Sequence, residues 1–248
     1  MKKKIKVTDY IADFLKKYTN HVFVGQGGSV VHLLDSIDRK KNLKNIPSQN
    51  EQAASLAADA YARLTGKVGF CVGTSGPGII NLLQGIACSY YDSVPTLSFS
   101  GAVTLDAMKD RKKIRQAGFQ QMDVVTMVKP FTKYAVLIKD PKKIKFELEK
   151  AIHIAISGRP GPVVIDLPDD VQRAYISTSN LKSFKPKKSK EIRLNIKLFQ
   201  NLLSKSKRPI VIVGNGINLS KTQNQLISFL KKGKIPFAPT WATVDIFY

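Results

Sequence analysis

The chain has 248 residues, 43% of them hydrophobic, which suits one full domain and part of another and excludes a disordered polypeptide. Lys and Arg number 40 and Asp and Glu number 18, so the formal net charge is +22. The basic clusters, at residues 2–4, 111–113, 185–190 and 231–234, lack the interleaved aromatic side chains of a base-stacking surface. We therefore expect no nucleic-acid partner, and favour a solvated lysine-rich surface over an acidic partner protein.

Helical spacing and short apolar runs alternate along the first two thirds of the chain. Helices are predicted at 7–17, 29–37, 51–64, 79–90, 122–128 and 144–156, and strands at 22–24, near 46, 68–72, 96–100, 134–138 and 163–167. This alternation predicts an α/β fold, a doubly wound and mainly parallel sheet with helices on both faces. Such sheets bind ligands at the carboxyl ends of their strands, where glycine-rich segments 25–28 and 73–78 follow strands directly.

The composition changes to Ser, Lys and Pro between residues 177 and 195. We therefore predict a first domain at 1–180, an exposed linker at 181–192 and a second α/β segment at 193–248. The second segment carries predicted helices at 196–203 and 226–230, strands at 209–213 and 236–238, and a turn at 214–216. Two strands and two helices cannot bury both faces of a sheet, so we expect an incomplete domain that is unstable by itself.

The N-terminal sequence and the positions of the Cys and His residues indicate the cellular compartment and whether the chain binds a metal. The basic N-terminus lacks the apolar core of a signal peptide, and no apolar run is long enough to cross a bilayer. Cys71 and Cys88 are interpreted as small buried side chains, and His21, His32 and His153 lack metal-site spacing. We expect a soluble cytoplasmic protein with no membrane partner and no metal site on this chain.

Each functional motif has an ordinary structural explanation when taken alone. The segment 73–78 follows a strand as a phosphate cradle does, but it fits neither the P-loop nor the dinucleotide spacing, and a tight turn with Pro77 opening a helix is favoured. Glu51 opens an alanine-rich helix, where the helix dipole stabilises a carboxylate without any catalytic role. The acidic run at 166–170 is read as solvated or helix-capping rather than as a metal site.

The motifs together are more specific than any one of them. Asn-Glu-Gln-Ala-Ala at 50–54, Ala-Tyr-Ala-Arg-Leu-Thr-Gly-Lys at 60–67, Gly-Thr-Ser-Gly-Pro-Gly at 73–78 and Asp-Ser-Val-Pro at 92–95 have a characteristic order and spacing. They resemble the pyrimidine-binding domain of thiamine-diphosphate enzymes of the acetolactate synthase group. Segments 118–123, 132–134 and 158–168 continue this resemblance. Residues 209–216 and 240–241 resemble the start of that group's middle domain.

The resemblance implies a role for each matching residue. A carboxylate at the N1′ atom of the aminopyrimidine favours the imino tautomer, whose nitrogen removes the C2 proton of the thiazolium, and Glu51 is the residue that matches this carboxylate. The implied cofactor-binding residues are Gly27, Glu51, Thr74, Ser75, Gly76, Pro77, Gly78 and Asn81. The implied substrate-facing residues are Phe119 and Gln120.

The implied reaction is decarboxylation of a 2-oxo acid such as pyruvate, with acyl transfer to a second oxo acid. Asn50 stands where a histidine is common in the group, and the paired histidines of simple pyruvate decarboxylases are missing from residues 104–116. Their absence favours carboligation over release of an aldehyde. The alternatives are a thiamine-diphosphate lyase or decarboxylase acting on another substrate, as in carbohydrate biosynthesis, and a non-catalytic interaction fragment.

The resemblance also sets expectations for cofactors and partners. The group's Gly-Asp-Gly segment, which holds Mg2+ and the diphosphate, does not occur in these 248 residues. We therefore expect the C-terminal diphosphate-binding domain to be absent, so that Mg2+ and thiamine diphosphate are anchored by a separately encoded half or by another chain. A homodimer or tetramer, FAD as a further cofactor, and a place in branched-chain amino acid biosynthesis are implied by the same resemblance.

Overall fold

A computed structural model of the chain describes residues 4–109, 114–187 and 194–247. The chain forms two compact units, Met1–Lys187 and Lys188–Tyr248. Residues 2–3, 111–113 and 188–190 of the predicted basic clusters lie outside the described residues, as do residues 188–192 of the predicted linker. Within the described ranges, every helix is too short or too polar to cross a membrane.

The first unit is built on a six-stranded parallel sheet with the strand order β3-β2-β4-β5-β7-β6. The strands of this unit are β1 (Lys4–Lys6), β2 (His21–Val24), β3 (Lys44–Pro47), β4 (Gly69–Gly73), β5 (Thr96–Ala102), β6 (Tyr134–Leu137), β7 (Val163–Pro168) and β8 (Tyr175–Ser177). The four inner strands consist largely of apolar and small residues because helices cover both of their faces.

Helices lie on both faces of this sheet. They are α1 (Val7–Leu15), α2 (Val31–Asp38), α3 (Glu51–Thr65), α4 (Pro77–Tyr91), α5 (Val124–Val128), α6 (Ile144–Ile156) and α7 (Asp169–Arg173). Phe70 and Val72 of β4 pack in one core with α1, α2 and α6. Cys71, between them, packs in a second core with α3, α4 and α5. The predicted doubly wound fold is therefore confirmed.

Two features of the first unit differ from the sequence prediction. Strands β1 and β8 form a separate antiparallel pair, with Lys4 opposite Ser177, and neither was predicted because three residues are too few to show a period. The prediction that Cys88 is buried was wrong, since this thiol lies on the exposed face of α4. The apolar composition of that helix did not reveal which of its faces is turned to solvent.

Close packing fixes α3 against its neighbours. A Cβ atom added to Gly69 of β4 would lie 2.7 Å from the Ala58 carbonyl carbon of α3. One added to Gly85 of α4 would lie 2.6 Å from the Ser55 Cβ, also on α3. Both distances are shorter than ordinary carbon–carbon contact, so only glycine allows this approach. The central parts of α3 and α4 are thereby held close together.

A network of polar side chains joins the other ends of the same two helices. The Asp59 carboxylate, only 9% exposed, accepts hydrogen bonds from Arg63 (2.5 Å) and from the Ser89 hydroxyl (2.7 Å). Arg63 also donates to Asp92 at 2.7 Å. Burial by itself lowers the pKa of Arg63, but the hydrogen bonds to the two carboxylates outweigh it and raise that pKa.

The second unit is also α/β. Its elements are α8 (Ile196–Lys205), β9 (Val211–Val213), α9 (Gly216–Ser220), α10 (Gln223–Gly233) and β10 (Phe237–Pro239). Strands β9 and β10 pair in parallel. Among its described residues, the buried apolar side chains are Val213, Leu230 and Ile235. This is a small core for a unit of this length.

Candidate active site

Three segments of the first unit meet at the carboxyl edge of the parallel sheet. They are the loop that follows β2, the segment Gly73–Gly78 that follows β4 and is called the glycine turn below, and the start of α3, which follows β3. Neighbouring parallel strands end at the same edge, so the topology alone brings these segments together. The Gly25 amide, which donates to the Val72 carbonyl at 2.8 Å, ties the first segment to β4.

Glu51 is the first residue of α3, and its side chain is partly buried. Asn50, at the N-cap, accepts a 2.9 Å hydrogen bond from the Ala53 amide. This cap starts the helix at a fixed residue and satisfies one of the free amides of its first turn. The Glu51 carboxylate is therefore carried at a helix N-terminus, where the helix dipole favours negative charge.

Glycines surround the Glu51 side chain. A Cβ atom added to Gly25 would lie 2.9 Å from Glu51 Cδ and closer still to Cγ, and one added to Gly78 would lie 3.0 Å from Oε1. The corresponding atom at Gly73 would lie 3.5 Å from Glu51 Cγ. Glycine at 25 and 78 thus provides the space that the carboxylate occupies.

The two carboxylate oxygens of Glu51 have different surroundings. Asn81, one turn into α4, donates a hydrogen bond from Nδ2 to Glu51 Oε2 at 3.1 Å. Oε1 faces the glycines at positions 25 and 78 instead. One oxygen is therefore held by a side-chain donor of this chain, and the other lies beside backbone without side chains.

The glycine turn has a backbone shape that requires glycine at one position. Gly76 has φ 63° and ψ −124°, a conformation that L-residues rarely adopt. A Cβ atom there would also lie 2.6 Å from the Cβ of Gln120, a residue with φ 53° itself. Pro77 is the first residue of α4, as the sequence predicted, where its missing N–H costs no helical hydrogen bond.

Thr74 links the glycine turn to the loop after β2. Its hydroxyl lies 2.8 Å from the Ser29 hydroxyl. A Cβ atom added to Gly27 would lie 2.7 Å from Thr74 Cγ2, and one added to Gly78 would lie 2.6 Å from the same carbon. The Ser75 amide donates to Ser29 Oγ at 2.8 Å. The Thr74 side chain is thus enclosed between two glycines and anchored at its hydroxyl.

Most residues that the resemblance singled out come together at this edge. Phe119 is 77% exposed and has no described contact with the other site residues, while its neighbour Gln120 lies against Gly76. The sequence assigned no role to Gly25, although the glycine-rich segment containing it was noted. Ser29 and Gln172, which reach the site through hydrogen bonds, carried no signal in the sequence.

Two other titratable groups near this edge, Cys71 and Asp169, have surroundings that indicate structural roles. Cys71 lies on β4 just before the turn, where burial raises the pKa of its thiol to about 12 and a contact with the Ser98 hydroxyl only partly offsets that. Within the acidic segment 166–170, Asp169 pairs with Arg173 at 2.6 Å and lies 3.5 Å from His32. Among the residues that the structure describes, there is no group of three His, Cys, Asp or Glu that could hold a metal ion.

Comparison with known families identifies the unit that carries this site. Residues 5–127 match the family described as thiamine pyrophosphate enzyme, N-terminal TPP binding domain. The first unit belongs to this domain family. The matched residues of the N-terminal TPP binding domain include Glu51, the glycine turn, Asn81 and Gln120.

Several curated proteins are similar to the chain over most of its length. Acetolactate synthase of Arthrospira platensis is 33% identical over 241 residues, and the probable acetolactate synthase large subunit of Methanocaldococcus jannaschii is 37% identical over 227. The large subunit of Lactococcus lactis is 37% identical over 224 residues. These matches cover 93%, 88% and 88% of this chain but 40%, 37% and 38% of the relatives. The chain thus spans about two fifths of the length of the curated relatives that it matches.

Proposed function

We propose that this chain supplies the pyrimidine-activating half of a thiamine-diphosphate-dependent carboligase of the acetolactate synthase type. The single observation that carries the proposal is the Glu51 carboxylate at a helix N-terminus, with Oε2 held by Asn81 and Oε1 beside glycine backbone. An ordinary helix-capping glutamate needs neither the fixed orientation nor the glycine surroundings. Membership of the first unit in the TPP binding domain family supports the same cofactor.

The residues present fit a flat heteroaromatic ring. Glycine at 25, 27 and 78 keeps side chains out of the space beside Glu51 and Thr74, and a Cβ at 25 or 78 would enter it. Cofactor sites are commonly concave and contain a few precisely placed polar groups, which can be side chains or backbone. Glu51, Asn81, Gly27 and the glycine turn would therefore hold the aminopyrimidine.

Thiamine diphosphate, when bound, supplies a thiazolium carbon that can add to the carbonyl carbon of a 2-oxo acid and accept the electron pair released with CO2. Glu51 would hold a proton at the pyrimidine N1′ through Oε1, which favours the imino tautomer. Asn81 keeps the second oxygen occupied, so that the carboxylate presents one oxygen in one orientation. A general acid or base must be held within hydrogen-bond reach of the proton that it moves, and a fixed orientation of Glu51 supports such a role.

We propose that the anchor for the diphosphate comes from elsewhere in the active assembly. Residues 4–109, 114–187 and 194–247 contain no group of three or more His, Cys, Asp or Glu side chains that could hold a metal ion. We infer that Mg2+ and the diphosphate are bound by a separately encoded half or by a further chain of a homo-oligomer. The relatives named as acetolactate synthases have more than twice the length matched here, which is consistent with that inference.

The substrate class follows from the same relatives. Acetolactate synthesis joins two pyruvate molecules with loss of one CO2, and the names of the relatives support pyruvate as the 2-oxo acid here. Gln120, which lies against Gly76, is the residue of this chain proposed to face the substrate, with Phe119 beside it on the same exposed segment. Branched-chain amino acid biosynthesis is the pathway in which this product would be used.

Complementation tests the proposal. The full chain is mixed with the separately produced part of the Lactococcus lactis relative that it does not match, and binding of thiamine diphosphate with Mg2+ is measured by calorimetry alongside pyruvate consumption. We expect binding and turnover only in the mixture, and loss of turnover in Glu51→Gln. Glu149→Gln is the matched control, because that carboxylate accepts from the Phe184 amide in the same unit and far from the glycine turn in sequence. Equal turnover by Glu51→Gln and wild type would contradict the proposal.

A further inference from the structure

Ser29 lies at a junction of loops at the carboxyl edge of the sheet. Its hydroxyl oxygen accepts from the Ser75 amide at 2.8 Å and lies 2.8 Å from the Thr74 hydroxyl. A Cβ atom added to Gly101, near the end of β5, would overlap both oxygens of Ser29 and lie 2.6 Å from Val30 Cγ1. Ser29 therefore packs closely against the backbone of β5 at Gly101 and is hydrogen-bonded to the glycine turn.

Gln172 holds Ser29 through the Ser29 backbone carbonyl. This residue of α7 is fully buried, and its Nε2 donates to the Ser29 carbonyl at 2.6 Å and to the Leu167 carbonyl at 2.9 Å. Its Oε1 is buried and has no hydrogen-bond partner among the described residues. This amide makes two hydrogen bonds through Nε2, although its unpaired Oε1 by itself destabilises the fold. Gln172 therefore connects Leu167, near the end of β7, to Ser29, which follows β2.

A continuous series of contacts leads from Gln172 to the carboxylate. Gln172 bonds Ser29, and Ser29 bonds both Thr74 and the Ser75 amide. Thr74 in turn lies beside Gly78, and a Cβ atom added to Gly78 would touch both Thr74 and Glu51 Oε1. Each step is a hydrogen bond or a close packing contact, and the residues involved follow strands β2, β3, β4 and β7.

We propose that Ser29 and Gln172 are positioning residues that set the shape of the glycine turn and thereby the space beside Glu51 Oε1. The inference rests on the proposed function, because it assigns these residues to the same site. Neither residue would touch the reacting atoms, and each acts through Thr74 and the Ser75 amide. The sequence separation of 143 residues between Ser29 and Gln172 makes the contact a tertiary one that links the two ends of the first unit.

Amide hydrogen exchange at Ser75 tests this inference without any cofactor. In the full chain, Ser29→Ala removes the acceptor of that amide, and Gln172→Leu removes the support of Ser29 while also removing the unpaired acceptor. We expect Ser75 exchange to be about 5-fold to 30-fold faster in Ser29→Ala, as loss of one to two kcal/mol of local protection implies, and measurably faster in Gln172→Leu. Ser36→Ala is the matched control, because the Ser36 hydroxyl is buried and donates to the Thr8 hydroxyl at 2.9 Å, with no link to the turn.

Turnover in the complemented mixture gives the second readout. We expect Ser29→Ala and Gln172→Leu to lower kcat with little change in KM for pyruvate. The melting temperature of Gln172→Leu should be no lower than that of Ser36→Ala. Unchanged Ser75 exchange in both variants would overturn the inference, as would faster exchange with an unchanged kcat. If the wild-type mixture has no turnover, the proposed function fails, and Ser75 exchange by itself decides whether Ser29 and Gln172 hold the turn.

Discussion

Replacing Gly25 with alanine tests whether the position of Glu51 matters for activity. The added methyl carbon would lie 2.9 Å from Glu51 Cδ and closer still to Cγ. Ordinary contact between carbon atoms needs about 3.5 Å, so Cδ has to withdraw by at least about 0.6 Å and the side chain as a whole by roughly 1 Å. The obstructing group is a side chain rather than backbone, so β2 and the sheet can remain in place.

The expected loss of activity follows from this displacement. Misplacing a catalytic group by 1 Å can cost on the order of 100-fold in rate, and we expect kcat for pyruvate consumption to fall by about that factor in Gly25→Ala. Overpacking costs about 1 to 3 kcal/mol of stability, so the variant remains folded in a chain of ordinary stability. Activity is measured in the complemented mixture, and folding by thermal denaturation of the full chain.

The same loop provides a matched control. A Cβ atom added to Gly28 would have no other atom within 4 Å, so Gly28→Ala makes the same chemical change without displacing Glu51. We expect Gly28→Ala to keep activity within about twofold of wild type, in line with an open site that produces no overpacking. Wild-type kcat in a folded Gly25→Ala variant, or equal losses in both variants, would refute the reasoning from displacement.

Three further outcomes are expected. Burial raises the pKa of Cys71 to about 12, so at pH 8 a thiol reagent should modify only exposed Cys88 in the folded chain and both thiols in denaturant; rapid modification of two thiols without denaturant would contradict the buried position. Burial, and then the hydrogen bond to Glu147, raise the pKa of Tyr134 above that of the unfolded chain, so the stability gained is present below pH 10 and is lost as the pH rises further. Tyr134→Phe should therefore make the fall in unfolding free energy above pH 10 shallower. This free energy is measured by urea denaturation at several pH values, and the same dependence on pH in both proteins would argue against the prediction. Arg63→Ala should lower the free energy of unfolding by about 2 kcal/mol, because it leaves the buried Asp59 carboxylate with only a serine donor. This value is below that of a fully buried ion pair because Arg63 is 41% exposed. A loss below about 0.5 kcal/mol by urea denaturation would show that the network adds little.

The fold of the first unit could be predicted from the sequence because its signals are local. Helix α6 has the predicted bounds, Ile144–Ile156, since apolar residues recur along it at helical spacing. The α3 helix begins at the predicted residue because Asn50 caps it. Strand β1 could not be predicted, because its pairing with β8 is set by residues more than 160 positions away. Local pattern does not report such pairing.

The candidate site was only partly predictable for the same reason. Glu51 and the glycine turn stand out because they form recognisable motifs next to strands. Gly25 was visible in a glycine-rich segment, but its closeness to Glu51 depends on the pairing of β2 with β3 and β4. Gln172 and Ser29 meet only through the order of β2, β4, β5 and β7 in the sheet. Neither residue type nor spacing indicated that contact.

The exposed position of Cys88 shows a different limit. The stretch from Ile79 to Cys88 is largely apolar on all sides of α4, so its composition does not tell the buried face from the exposed one. The structure buries Ile79, Leu82 and Ile86 in the second core and leaves Cys88 outside. Contacts with α3 decide the orientation, since Gly85 must face Ser55 at a distance that no other residue allows.

Exchange of the C2 proton of thiamine diphosphate for deuterium tests the central claim most directly. Loss of the C2 proton signal is followed by NMR in D2O, with Mg2+, the full chain and the complementing part of the relative present. If Glu51 activates the pyrimidine, exchange should be far faster in the wild-type mixture than in free cofactor. Glu51→Gln should then abolish the acceleration while Glu149→Gln retains it. Equal acceleration by wild type and Glu51→Gln would contradict the assignment of Glu51 as the activating carboxylate.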